Sequence, residues 1–234
     1  MWWCVFFFFG DAATAEIYSL SLPDALPASI AVAQEIATLI REKQENKQSC
    51  VLGLATGSSP IKVYEELVRM HQEEGLSFKN VITFNLDEYY PMGKENTQSY
   101  WYFMHEHLFD HVDILPENIN IPDGSLAPEE IHQFCIDYEL KIKEAGGLDF
   151  QLLGIGRTGH IGFNEPGSHY NSGTRNITLD HITRVDAAPA FLGIDNVPKV
   201  AITMGISTIR KAKRIVLLAW GINKASVIKE TIGG

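Results

Sequence analysis

His160 and Glu165 lie five residues apart in the glycine-rich stretch Leu153-Gly154-Ile155-Gly156-Arg157-Thr158-Gly159-His160-Ile161-Gly162-Phe163-Asn164-Glu165-Pro166-Gly167-Ser168. An imidazole titrates near neutrality and can move protons. A carboxylate beside it can hold its tautomer or raise its basicity. Glycines let the backbone turn tightly and approach a ligand closely. An apolar run, residues 150–153, ends in these glycines, so the stretch reads as an active-site loop at the end of a buried strand. A structural histidine in an ordinary α/β turn is the plainer alternative.

Two more stretches could supply chemistry. Thr56, Gly57, Ser58, Ser59 and Pro60 separate an apolar run from a helical pattern. Hydroxyl donors, a permissive glycine and the free N–H groups of a helix start make an anion site. The Gly-Lys-Ser/Thr ending of a nucleotide loop is missing, as is the dinucleotide glycine fingerprint. A small phosphate ester therefore fits better than a nucleotide, and a simple cap by Ser58 or Ser59 is the alternative. Asn85-Leu86-Asp87-Glu88-Tyr89 ends a second apolar run. A carboxylate there can act as general base, or both acids can be turn residues. Lys199, after Val197-Pro198, could reach a phosphate.

Periodicity supplies the elements that must hold these groups. Apolar runs at 51–55, 81–86, 150–153, 199–204 and 215–219 read as strands. Helical patterns cover 29–47, 60–74, 97–109, 128–145, 206–213 and 223–232. The alternation predicts an α/β fold, a Rossmann-like open and mostly parallel sheet with helices on both faces. Such sheets bind ligands at the carboxyl ends of their strands. The Thr56 loop, Asp87 and the His160 loop would meet there.

Composition narrows the function classes. The chain has 234 residues, enough for one domain. A net charge of −10 argues against a nucleic-acid surface. Cys4, Cys50 and Cys135 show no paired or metal-binding spacing, which fits reduced thiols in a cytoplasm. The aromatic start, residues 1–9, is too short to cross a membrane and lacks the basic opening of a signal peptide. Residues 1–30 read as an artefactual or disordered leader, with the domain at 31–234. The chain stops at Gly233-Gly234, where another strand would be natural, and this reads as a truncation.

Over residues 31–234 the chain resembles the glucosamine-6-phosphate deaminases. Leu-Gly-Leu-Ala-Thr-Gly-Ser-Ser-Pro at 52–60, Phe-Asn-Leu-Asp-Glu-Tyr at 84–89, Gly-His-Ile-Gly-Phe-Asn-Glu-Pro-Gly-Ser at 159–168 and Asn-Val-Pro-Lys at 196–199 carry the resemblance. They follow the family's order and approximate spacing. The related 6-phosphogluconolactonases share the fold and a Gly-His element but lack Phe-Asn-Glu-Pro after it. The resemblance implies conversion of glucosamine 6-phosphate and water to fructose 6-phosphate and ammonia, with no metal or organic cofactor. Asp87 would move the C2 proton, His160 would assist ring opening, and Glu165 would orient His160. Thr56, Gly57, Ser58, Ser59 and Lys199 would hold the 6-phosphate.

The chain also departs from the pattern. Thr158 replaces an Asp that many members carry in the catalytic set, so ring opening would lean on Glu165. Many bacterial members have a phosphate-binding Arg shortly before Asn-Val-Pro-Lys; here Ala187-Ala188-Pro189-Ala190 fills that segment and Arg184 is nearest. Thr174-Arg175 matches an allosteric amino-sugar-phosphate pair, but Ile177 replaces its lysine, so that regulation is not expected. The implied partner is a small sugar phosphate, without nucleic acid or membrane, and a homo-oligomer is compatible. A non-catalytic sugar-phosphate sensor and a 6-phosphogluconolactonase-like hydrolase are the competing functions.

Overall fold

The computed structural model describes residues 3–9, 17–22 and 25–233, with side chains at 26–231. Its elements run β1 (Trp3–Phe9), β2 (Ile17–Leu22), α1 (Ala25–Glu45), β3 (Cys50–Leu54), α2 (Ile61–Glu74), β4 (Val81–Asn85), β5 (Asp87–Tyr90), α3 (Tyr100–His107), β6 (Ile119–Asn120), α4 (Ile131–Glu144), β7 (Phe150–Gly154), β8 (Arg175–Thr178), α5 (His181–Ala187), β9 (Val200–Thr203), α6 (Ile206–Ile209), β10 (Arg214–Ala219) and α7 (Ala225–Gly233). The expected leader boundary at residue 30 falls inside α1. Its residues 1–2, 10–16 and 23–24 lie outside the described residues.

The main sheet has the order β2-β1-β10-β7-β3-β4-β6. It is parallel from β10 to β6, and β1 and β2 add antiparallel edge strands. Its central strands are mostly apolar, broken only by buried polar residues such as Gln151 and Thr83, because both faces are covered. On one face, Ile36 and Ile40 of α1, Val63 and Leu67 of α2 and Met104 of α3 pack on Leu52, Leu54 and Leu152. On the other, Tyr138 and Ile142 of α4, Ile209 of α6 and Val227 of α7 pack on Val51, Leu153 and Leu217. The α/β fold with helices on both faces is the one expected. No helix among the described residues is long and apolar enough to cross a membrane.

One strand assignment is corrected. The run at 199–204 does not extend the parallel sheet; β9 is the centre of a second, antiparallel sheet, β5-β9-β8. Only Leu86 separates β4 from β5. A parallel return needs a crossover of a dozen or more residues, so the chain must leave for another sheet. Ala201, Ile202 and Thr203 are all buried, so hydrophobicity alone cannot tell which sheet they join. β8 and α5 were not anticipated because residues 175–187 are mostly exposed or half-buried, with only Leu179 and Thr183 buried. α6 stops at Ile209, short of the helix expected to 213.

Asp149 fixes the edge of the main sheet remote from the strands' carboxyl ends. Its carboxylate accepts from Lys43 Nζ at 2.8 Å, Lys213 Nζ at 2.7 Å and Val51 N at 3.0 Å. Burial alone would raise its pKa, but these three donors together hold it below the usual aspartate range. Its contribution to stability is therefore present above the ordinary aspartate pKa and lost as pH falls through the depressed value. Asp149→Ala should cost about 1–3 kcal/mol at pH 7, by leaving a buried N–H and two ammoniums unpaired. For a chain of this size each kcal/mol lowers Tm by about 2–4 °C. A thermal melt checks this, and an unchanged Tm would remove Asp149 from the account.

Candidate active site

A cleft of about 240 Å³ opens where the loops after β3 and β7 part, with Asp87, Tyr100, His160 and Lys224 among its lining residues. β3 leads on to β4 on one side, while β7 lies on the other. The cleft thus sits at a switch in strand order, where open α/β sheets place ligands. Hollows of about 500 and 690 Å³ lie elsewhere, and neither contains a histidine.

Asp87 opens β5 opposite Thr203 and is 5% exposed. Burial, then the neighbouring Glu88 charge, push its pKa well above the usual carboxylate range. A carboxylate so raised is a stronger base at neutral pH. Glu88 points away into the fold and is pushed up to about 7 by burial, against the pull of three backbone donors. Its oxygens accept from Tyr89 N at 2.9 Å and from Tyr100 N and Trp101 N at 3.0 Å each. Two of those donors are the first N–H groups of α3, so Glu88 serves that helix start. It thereby sets Tyr100, whose ring stacks on Phe163 at 5.8 Å and faces the cleft. The sequence reading did not anticipate this division of labour between adjacent acids.

The loop carrying His160 is anchored at several points. Phe163 N donates to Thr203 Oγ1 at 3.1 Å, and Asn164 Nδ2 donates to Met204 O at 2.8 Å. Gly162, at φ +56°, rides over Asp87; a Cβ there would stand 3.3 Å from Asp87 Oδ2 and 3.0 Å from Thr203 Oγ1. The His160 ring covers Gly156, where a Cβ would overlap the ring atoms. These glycines are spacing requirements, which a Gly-x-Gly pattern alone does not reveal.

His160 Nδ1 faces Thr158 Oγ1 at 2.9 Å and Glu165 Oε2 at 3.2 Å. Thr158 Oγ1 donates to the same Glu165 Oε2 at 2.9 Å. A hydroxyl has one proton, so with that proton on Glu165 the oxygen accepts from Nδ1–H. In the neutral ring, Nε2 is then the unprotonated nitrogen. Thr158 supplies no charge itself, but it relays the Glu165 charge to the ring. Thr183 Oγ1, 3.4 Å from Nδ1, donates to Glu165 Oε1. It was missed because nothing in residues 182–184 marks a functional position.

Thr56, Gly57, Ser58 and Ser59 line the same cleft. The N-cap of α2 is Pro60, with no side-chain cap bond, so Ser58 and Ser59 are not spent on capping. Lys199 does not join them. It is exposed and precedes β9, whose other end, Thr203, is the residue opposite Asp87. At roughly 3.3 Å per residue that separation is about 13 Å. Arg184 is also elsewhere, donating to Ile194 O and Val197 O. Lys224, half-buried ahead of α7, is the lysine that lines the cleft. Burial lowers its pKa against the attraction of Asp186. Among the described residues, no group of three or more His, Cys, Asp or Glu is placed to share a metal ion.

The glucosamine-6-phosphate isomerases/6-phosphogluconolactonase family matches residues 23–234. A glucosamine-6-phosphate deaminase of Mycoplasma mycoides is 49% identical over 203 residues, 87% of this chain and 81% of that protein. A putative glucosamine-6-phosphate deaminase-like protein of Bacteroides thetaiotaomicron is 53% identical over 203 residues, of which this chain spans only 31% of the length. The solved structure of a monomeric glucosamine-6-phosphate deaminase superposes with a TM-score of 0.86 at 42% identity, covering 91% of this chain and 86% of that one. A 6-phosphogluconolactonase from Thermotoga maritima, at 23% identity and a TM-score of 0.70 over 91% and 88% of the two chains, shares the fold. With the cleft, the paired strand-end carboxylates and the His160 loop in register, the chain belongs to the glucosamine-6-phosphate isomerase/6-phosphogluconolactonase family.

Proposed function

We propose that this chain is a glucosamine-6-phosphate deaminase, converting glucosamine 6-phosphate and water to fructose 6-phosphate and ammonia. The observation that carries the reading is a buried carboxylate of raised basicity, Asp87, lining one cleft with a carboxylate-oriented imidazole, His160. Thr56, Gly57, Ser58, Ser59 and Lys224 receive the 6-phosphate, and the N-terminus of α2 adds its dipole. Held there, the sugar lies along the cleft between the loop and Asp87.

His160 Nε2 takes the proton of the C1 hydroxyl and passes it to the ring oxygen as the bond from C1 to that oxygen breaks, opening the pyranose to the aldehyde. Glu165, directly and through Thr158, offsets the charge that the ring then carries. The opened C1 carbonyl makes the C2 proton acidic, and Asp87 removes it to give an enolamine. The same carboxyl returns a proton at C1, leaving an imine at C2. Water adds to that carbon, and the C–N bond breaks to release ammonia. General acid–base assistance of this kind contributes about 10²–10⁴-fold, and the phosphate contacts hold the reacting carbons in position.

The sensor alternative rested on Thr158 and the missing arginine. The hydroxyl relay and Lys224 answer both, so the enzyme reading is favoured. The lactonases are likenesses of fold at 23% identity. The buried free thiols of Cys50 and Cys135 support placing the protein in a reducing cytoplasm.

Asp87→Asn should lower kcat by about 10²–10⁴-fold, read as ammonia release from glucosamine 6-phosphate. The same variant should melt higher at pH 8. The raised pKa values of Asp87 and Glu88 mean that the folded chain holds protons the unfolded chain releases. Their effect opposes folding increasingly as pH rises from the ordinary carboxylate range to about 7 and beyond. Retained turnover in Asp87→Asn would refute the mechanism, and a lower Tm would refute the electrostatic argument.

Lys224→Ala should raise KM for glucosamine 6-phosphate by about 10–100-fold, the equivalent of one charge-assisted contact, with kcat changed far less. Lys199→Ala should leave both constants within about twofold. Steady-state kinetics on the two variants checks the assignment, and the opposite ranking would return the phosphate contact to Lys199.

A further inference from the structure

We propose that Thr183 is a positioning residue for His160, acting through Glu165; the proposal rests on the deaminase reading for its kinetic consequence but not for its geometry. Glu165 presents one oxygen, Oε2, to His160 Nδ1, and the other needs its own partner in the same half-buried site. The structure divides the two oxygens between two hydroxyls. Thr158 Oγ1 donates to Oε2 at 2.9 Å, and Thr183 Oγ1 donates to Oε1. A carboxylate held at both ends cannot rotate about its terminal bond, so Oε2 stays 3.2 Å from Nδ1.

Thr183 is suited to this because its backbone is fixed. It is 7% exposed and lies in the first turn of α5. Asp180 caps that helix by accepting from Ile182 N at 2.7 Å. The same helix holds the His160 loop a second time, through Arg157 Nη2 and Asp186 Oδ1 at 2.8 Å. Thr158, by contrast, is part of the loop and moves with it. Thr183 is therefore the only one of the two hydroxyls that ties the His160–Glu165 pair to a separate element. Without it, Glu165 can turn, the relay through Thr158 loses its acceptor, and Nδ1 loses its reason to keep the proton.

The tautomer of His160 is the direct readout. The full chain, labelled with ¹⁵N-histidine, gives imidazole nitrogen shifts at a pH where the rings are neutral. A His160→Gln spectrum identifies the His160 signals among the eight histidines. The native chain and Thr183→Ser, which keeps the hydroxyl, should both show Nδ1–H. Thr183→Val, which keeps the shape and removes the hydroxyl, should show a mixture of tautomers. Its kcat should fall about tenfold or more, a share of the general acid–base contribution, with KM for glucosamine 6-phosphate within about twofold. An unchanged tautomer in Thr183→Val, or equal losses in the Ser and Val variants, would overturn the proposal. A native chain that does not turn over glucosamine 6-phosphate would refute the deaminase reading, while the tautomer measurement would still decide the role of Thr183.

Discussion

The site depends on two adjacent carboxylates buried where the chain passes from one sheet to another. Leu86 alone separates β4 of the parallel sheet from β5 of the antiparallel one. Its N–H donates to Leu54 O in the first sheet, and its carbonyl accepts from Met204 N beside the second. Asp87 and Glu88 follow at once, on opposite faces of a paired strand, so neither can swing into solvent. One is left to face the cleft and the other to serve the start of α3. Both are almost fully buried, so the Glu88 charge is little screened at Asp87. That arrangement weakens the fold at neutral pH and strengthens the base, a trade found at many functional sites.

The rest of the site is organised around holding a glycine-rich loop against that buried pair. The loop from Gly156 to Glu165 has glycines where the backbone meets His160 and Asp87. It is pinned by Asn164 and by Thr203, the β9 residue facing Asp87. The small sheet thus carries both Asp87, the proposed base, and the anchor of the His160 loop. This explains why a chain lacking Asp at position 158 keeps an ordered imidazole. The carboxylate that matters, Glu165, is fixed from both sides by hydroxyls, and the loss of charge at 158 is met by orientation.

Much of this was legible in the residues, and the failures have physical causes. Asp87, His160, Glu165 and residues 56–59 stood out because strand-end polar residues among glycines are rare in a buried sheet. Asp87, His160 and residues 56–59 line one cleft, and Glu165 reaches it through its contact with His160. The second sheet was not legible, since β9 is apolar on both faces and β8 is half-exposed, so neither carries a strand signal that names its partner. Lys199 looked like a phosphate ligand from its place in a motif, but strand direction carries it to the wrong end of β9. Lys224 and Thr183 occupy ordinary helical surroundings, and only the packing of α7 and α5 against the loop brings them in.

The central claim is that Asp87 carries the C2 proton. Glucosamine 6-phosphate deuterated at C2 tests it directly, with the native chain and Asp87→Asn followed by NMR. The account predicts that deuterium leaves C2 in the native chain, appearing at C1 of fructose 6-phosphate or in water, and stays at C2 in the variant. Loss of deuterium from C2 at the native rate in Asp87→Asn would contradict it.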